Sequence, residues 1–255
     1  MLIVISTNKL SLGKNNLRSD MRLPCVLLLC LGAATVSAAF VLSPTHWTKI
    51  ILTHHWPTTF CKMEHCHSKF NYWTLHGLWP ANGMECNSSW AFNSSLIQDI
   101  IEDMKKSWPD LLRPNSTAFW KYEWQKHGTC AAVAPDLNSQ HKYFSKALEL
   151  YHKIDLSSVL KKFNITPSEE FYKFPAIESA IENFYGVKPK IQCDHHTGNG
   201  AQSLGQIEIC FDSDFTLLDC EKETVGVGLR AGKGRARAPG FKVCDQDKPV
   251  YYPPL

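Results

Sequence analysis

No stretch of this 255-residue chain reaches the roughly 20 apolar residues that a membrane-spanning helix needs. The main apolar run, Cys25-Val-Leu-Leu-Leu-Cys-Leu31, is far shorter. It follows the basic residues Lys9, Lys14, Arg18 and Arg22 and precedes the small residues Val36-Ser-Ala-Ala39. That order reads as a signal peptide over residues 1–38, leaving a single mature domain over 39–255. Met21 offers a second start, which would make residues 1–20 an upstream extension. An excess of one charge is also missing. The leader takes four basic residues and one acid with it, so 23 of 27 basic and 23 of 24 acidic residues remain. The formal +3 of the whole chain therefore says nothing about a nucleic-acid partner. Internal repeats are lacking, which removes solenoid and propeller architectures. So is a zinc motif. Cys61, His65, Cys66 and His67 crowd together, but no second close-spaced pair sits where a tetrahedral site needs one. Nor is there the two-histidine-plus-carboxylate ligand motif that a zinc hydrolase carries on a helix, so no metal and no cofactor is expected.

Histidine and cysteine are plentiful. All eleven histidines lie beyond the leader, and in an acidic compartment they would turn a neutral protein positive, favouring a polyanionic partner. Ten cysteines less Cys25 and Cys30 leave eight, an even number in a chain bound for an oxidising compartment, so disulfides are expected. Asn87, Asn93, Asn115 and Asn164 each open an N-glycosylation triplet, which fits the same route.

Periodicity gives strands at both ends with helices between. Lys49 to Trp56 reads as a buried strand stopped by Pro57, and Phe70 to His76 as an alternating strand stopped by Gly77 and Pro80. Helices are predicted over Ser95 to Trp108, Thr117 to His127 (closed by Gly128), Ser139 to Ile154, Ser157 to Phe163 and Pro175 to Tyr185. Strand character returns at Pro189 to Cys193, Leu204 to Cys210, Phe241 to Cys244 and Val250-Tyr-Tyr. The pattern indicates one α+β domain, disulfide-rich, with helices packed on a mainly antiparallel sheet. Gly226 to Gly240 reads as a solvated Gly/Arg/Lys loop, the alternative being an RNA-steering arm.

Two segments carry chemistry. His76-Gly-Leu-Trp-Pro80 puts a histidine where a strand breaks into a glycine turn, a place from which it can point into a groove. Phe119-Trp-Lys-Tyr-Glu-Trp-Gln-Lys-His-Gly-Thr-Cys130 sets Glu123 and His127 four apart on one helix face with Lys126 beside them. Trp120 and Trp124, also four apart, read as core. A bridge between Cys86 and Cys130 would clamp the two segments together and contribute about 2–4 kcal/mol. Two imidazoles suit RNA cleavage, because the 2′-hydroxyl must lose a proton and the leaving 5′-oxygen must gain one. Lys126 would meet the negative charge gathered at phosphorus. Which histidine is acid and which is base is not readable from the residues.

These two segments resemble the active-site segments of the ribonuclease T2 family, and the resemblance runs from about His46 to the final Tyr-Pro-Pro, through His55-Trp-Pro57 and Leu204-Gly-Gln-Ile-Glu-Ile-Cys210. The likeness is strongest to the animal lysosomal and secreted branch. It implies an endoribonuclease acting on single-stranded RNA, with His127 as base, His76 as acid, and Glu123 and Lys126 stabilising the transition state. The product would be a 2′,3′-cyclic phosphate, then hydrolysed slowly to a 3′-phosphate. It also implies the bridges Cys61–Cys66, Cys86–Cys130, Cys193–Cys244 and Cys210–Cys220, where the sequence alone leaves 105 connectivities open. Trp79 reads either as a base-stacking wall or as core. One departure stands out: relatives usually carry histidine just before the glutamate, and this chain has Tyr122. Tyrosine cannot become cationic, so weaker phosphate binding in acid is expected, with the chemistry kept. Nothing in the sequence suggests more than a monomer. A secreted binding protein on the same scaffold is the competing reading, which the retained His76, Glu123, Lys126 and His127 oppose.

Overall fold

The computed structural model describes residues 47–67, 69–196, 200–220 and 240–255. The leader and all of the Gly/Arg/Lys loop except Gly240 lie outside them. Strand β5 (Gln202–Asp212) is the spine, with ten of its eleven residues buried. It pairs antiparallel with β1 (Lys49–His55) on one side and β4 (Lys190–Asp194) on the other. Outside these lie β2 (Thr74–Pro80) against β1 and β7 (Lys242–Val243) against β4, giving the order β2-β1-β5-β4-β7. Short β3 (Phe171–Lys173), β6 (Leu217–Leu218) and β8 (Pro249–Tyr251) extend it. Every ladder is antiparallel except β5 with β8. The α+β class with a mainly antiparallel sheet is thus what the chain adopts.

Side chains of facing strand residues share a sheet face. On one face lie Leu52, His54, Ile191, Ile207 and Ile209, all 2% exposed or less, forming core with the helices. Tyr143, Phe144, Ala147 and Leu148 of α5 (Gln140–Lys153) are buried in the same core, and the Tyr143 hydroxyl donates to the Leu78 carbonyl at 2.9 Å. The other face is polar. Thr53 faces Glu208 and His55 faces Gln206 across β1–β5, while Lys190 faces Glu208 and Gln192 faces Gln206 across β4–β5.

The helices end where local chemistry stops them. Ser139 caps α5 by accepting from the Lys142 amide, and Asp155 caps α6 (Leu156–Lys162) in the same way. Helix α7 (Phe174–Tyr185) closes on Gly186 at φ 77°, where a side chain would be strained. Three expectations shift. Pro57 ends β1 but also opens α1 (Pro57–Glu64), since a proline at the first helical position loses no hydrogen bond. The predicted helix from Ser95 divides into a 3-10 stretch, Ser94–Ile100, and α2 (Ile101–Ser107), parted by non-helical backbone at Ile97. The second strand begins later than predicted and runs on through Gly77 to Pro80.

Four disulfides join Cys61–Cys66, Cys86–Cys130, Cys193–Cys244 and Cys210–Cys220. Cys61 and Cys66 are therefore spent on each other, and among the described residues no group of His, Cys, Asp or Glu is placed to hold a metal ion. No described helix is long and apolar enough to cross a membrane. Asn87, Asn93, Asn115 and Asn164 are all exposed.

Candidate active site

His76 owes its position to a bulge. Along β1–β2, Thr53 pairs with Gly77 and His54 with Leu75, so His76 is the extra, unpaired residue. The bulge turns His76 onto the polar face while Leu75 and Leu78 stay in the core. This differs from the strand end inferred above: the strand continues, and the irregularity inside it aims the ring. There the His76 imidazole packs against His55 with centroids 3.7 Å apart and the rings tilted by 32°, and its Nδ1 lies 2.9 Å from Gln206 Oε1.

The second half comes from a broken helix. Helix α3 (Ala118–Glu123) runs into a π-turn over Trp124–Gly128, where the Thr129 amide reaches back five residues to the Trp124 carbonyl, and then into α4 (Thr129–Ala131). Such turns are rare and concentrate at functional sites. Gly128 does not close the helix as predicted. It keeps right-handed helical angles, and a Cβ there would collide with the Trp124 ring, so the small residue permits close packing. Trp120 and Trp124 are core, donating to the carbonyls of Trp108 and Trp90. The Cys86–Cys130 bridge and a 2.9 Å bond from the Glu85 amide to the Lys126 carbonyl tie the loop after β2 to this turn.

Trp79 joins the halves. Its indole stacks on His127 at 5.1 Å, meets His76 edge-on at 4.7 Å, and donates from Nε1 to Glu123 Oε2 at 2.7 Å. Gly77 makes room for this, since a Cβ there would strike the indole and the Glu123 carboxylate. His76, Glu123 and His127 therefore share one cleft. Lys126 stands beside it, donating to the Tyr122 hydroxyl at 2.8 Å with its ammonium 5.0 Å from the Tyr122 ring centre. Tyr122 itself is half exposed.

Burial sets the electrostatics. It pushes the His76 pKa down to about 4, against the opposing bond from Gln206 and helped by Lys126. Burial, then Lys126 and His76, lowers His127 to about 3. The same loss of water raises Glu123 to about 8, which the Trp79 bond and the Lys126 charge only partly offset. Glu123 Oε1 and His127 Nδ1 are buried without a partner among the described residues.

Beside His76 lies a cavity of about 80 Å³ walled by His55, Phe60, Asp110, Leu112 and Phe119. Larger cavities of about 370 and 510 Å³ lie elsewhere and contain none of His76, Glu123 and His127, so volume does not mark the cleft they share. Sequence reasoning gave no role to His55, Gln206, Glu208 or Gln192. The available signal was the pair of polar residues alternating with isoleucine in Leu204-Gly-Gln-Ile-Glu-Ile-Cys210, in a strand otherwise fit for burial on both faces.

Residues 47–220 match the model of the ribonuclease T2 family. The zebrafish (Danio rerio) protein named ribonuclease T2 is 58% identical over 223 residues, covering 86% of this chain and 92% of that one. The crystal structure of human RNase T2 superposes with a TM-score of 0.70 at 43% identity, over 82% of this chain and 99% of that one. RNase NT, solved in complex with 5′-AMP, superposes with a TM-score of 0.64 at 28% identity, over 82% of this chain and 100% of that one. With a cleft of two histidines, a glutamate and a lysine on that fold, this chain belongs to the ribonuclease T2 family and is an endoribonuclease.

Proposed function

We propose that the chain is a secreted, metal-independent endoribonuclease that cleaves single-stranded RNA through a 2′,3′-cyclic phosphate, with His76 and His127 exchanging the protons. The observation that carries this reading is Trp79. Both imidazoles rest on it, so they are no farther apart than the two ring distances combined, close enough to reach one phosphodiester.

The roles follow from the surroundings of each ring. Among the described residues His127 has no acceptor at Nδ1, and a lysine lies nearby, both of which favour the neutral form that a base requires. It takes the 2′-hydroxyl proton as that oxygen bonds to phosphorus. His76 has an oxygen acceptor at Nδ1, which favours the protonated form that an acid requires. It delivers its Nε2 proton to the 5′-oxygen as the P–O5′ bond breaks. The products are a 2′,3′-cyclic phosphate and a 5′-hydroxyl. In the slower second step the roles reverse, with water attacking phosphorus to leave a 3′-phosphate.

Glu123 would repel the phosphorane if ionised. With its pKa raised to about 8 and Oε2 held by Trp79, it keeps a proton at the acidic and neutral pH where the histidines work. Oε1–H can then donate to a phosphoryl oxygen. Lys126 supplies a fixed positive charge to the same oxygens, held by Tyr122. Trp79 acts by positioning both imidazoles, and Phe119 in the wall of the small cavity offers a ring face on which a base can stack.

Export to the secretory route, outside the cell or into the lysosomal lumen, is supported by the leader-like residues 1–38, the four disulfides and the four exposed acceptor asparagines. We take residues 39–255 as the mature monomer. The test is digestion of an RNA dinucleotide by wild type, His76→Ala and His127→Ala across pH with EDTA present. Wild type should release a cyclic phosphate at full rate, and each variant should lose about 10²–10⁴-fold. Loss of activity in EDTA, or two active variants, would refute the mechanism.

A further inference from the structure

We propose that Gln206, oriented by the buried carboxylate of Glu208, is a positioning residue that fixes His76 as a donor at Nδ1 and so leaves Nε2 facing the leaving oxygen. The inference rests on the assignment of His76 as acid. The geometry that carries it is a chain of hydrogen bonds across three strands.

Glu208 is 3% exposed, and its Oε1 receives Gln192 Nε2 at 2.6 Å and Gln206 Nε2 at 3.2 Å. A carboxylate only accepts, so both amides must turn their NH2 groups toward it. Gln206 Nε2 also donates to Gln192 Oε1 at 3.1 Å. With its nitrogen committed on that side, Gln206 can present only oxygen to His76, and Oε1 lies 2.9 Å from Nδ1. An oxygen acceptor demands a proton on Nδ1, and the imidazole is left with Nε2 for exchange. Lys190 Nζ, 3.6 Å from Glu208 Oε2, supplies the opposite charge.

Placement makes the device rigid. Gln192 and Gln206 face each other across β4–β5, as do Lys190 and Glu208, and these strands form the middle of the sheet. A buried glutamine and glutamate are costly where apolar residues would pack. Here each meets the other, and the oxygen of Gln206 turns to the histidine pair, to His76 Nδ1 at 2.9 Å with His55 also hydrogen-bonded to Gln206. His55 lies against His76, its ring tilted by 32°, and restricts its movement, while the bond to Gln206 sets its rotation. The other ionisable groups around the ring are Glu123, Lys126 and His127 from the helical side and Asp110 from the cavity wall.

The test compares Gln206→Met on two substrates. One is a dinucleotide, whose 5′-alkoxide needs a proton to leave. The other is uridine 3′-(4-nitrophenyl phosphate), whose phenolate does not. The expected result is a kcat on the dinucleotide lower by about tenfold, a fraction of the loss on removing the acid itself. KM should hold, and the alkaline limb of the pH profile should move to lower pH because the protonated ring has lost its acceptor. Cleavage of the aryl ester should be unchanged. Glu208→Gln, which lets Gln206 turn over, should show the same pattern more weakly. Equal slowing on both substrates would overturn the proposal. So would nitrogen chemical shifts that place the His76 proton on Nε2 in the alkaline wild-type protein, a readout that requires no variant to fold. His76→Ala separates the two ideas: if it slows the aryl ester as much as the dinucleotide, the acid assignment fails, whatever the tautomer.

Discussion

The two halves of the cleft hold a histidine by different means. The strand half grips His76 through a bulge, a ring contact with His55 and a bond to Gln206 that the sheet backs from behind. The helix half leaves His127 with no partner at Nδ1 among the described residues and relies on the π-turn, the Trp79 stack and the Cys86–Cys130 bridge. The difference matches the two tasks proposed for the rings. An acid must keep a proton until the leaving oxygen takes it, and an acceptor behind the ring favours that state. A base must stay empty, and burial beside a lysine favours that one.

The contrast is broken most severely by removing either ring, and it is sharpened by the pH dependence of what remains. With His76 at about 4 and His127 at about 3, the kcat/KM profile of the free enzyme should be a bell with its maximum below the ordinary histidine value of 6.5. The two limbs belong to the coupled pair. A maximum on the alkaline side of that value, in rates measured from acid to alkaline pH, would mean that the rings are not buried as described.

Next in size is Glu123→Met, which should lower kcat by about 10²–10³-fold by removing the proton donor to the phosphoryl oxygen. It should also separate rate from stability. The folded-state pKa of Glu123 is raised to about 8, above the ordinary carboxylate value of 4.5. Its contribution to stability is therefore fully present below the unfolded value and is lost as pH rises through about 8. The variant, which cannot ionise, should gain thermal stability over wild type between pH 5 and 8. Parallel melting curves across that range would show that Glu123 ionises freely.

Smaller effects should distinguish the two frames. Gly128→Ala would push a methyl into Trp124 beneath His127, and Gly77→Ala would push one between Trp79 and Glu123. Overpacking of this kind costs about 1–3 kcal/mol. Chemical denaturation should show both losses, with kcat falling further for Gly77→Ala because its methyl meets the groups of the cleft directly. The smallest effect is expected at Tyr122, which holds Lys126 from the exposed side. Tyr122→His should lower KM for RNA a fewfold at acid pH, where the new ring is cationic, and leave kcat unchanged. Unaltered KM in acid would remove Tyr122 from phosphate binding.

Much of the cleft was readable residue by residue. The spacing of Glu123, Lys126 and His127 placed them together on one turn, and the helix cap at Ser139 and the glycine at 186 marked real ends. The errors have physical causes. A bulge leaves no mark in an alternating pattern, so His76 looked like the last residue of a strand instead of the odd one within it. A π-turn is one residue longer than the repeat that periodicity detects, so Gly128 looked like a stop. Pro57 looked like an end because the same residue that stops a strand also starts a helix.

By itself the sequence singled out the groups proposed to exchange protons, and it determined that the domain would pair helices with an antiparallel sheet and that eight cysteines would serve as crosslinks. Those are properties of residue type and short-range spacing. Only the tertiary structure decided that Trp79 would seat both imidazoles, that burial would move their pKa values one way and that of Glu123 the other, and that Gln206 would turn its oxygen toward His76. Each of these depends on the loss of water and on contacts between segments far apart in the chain, which no local pattern encodes.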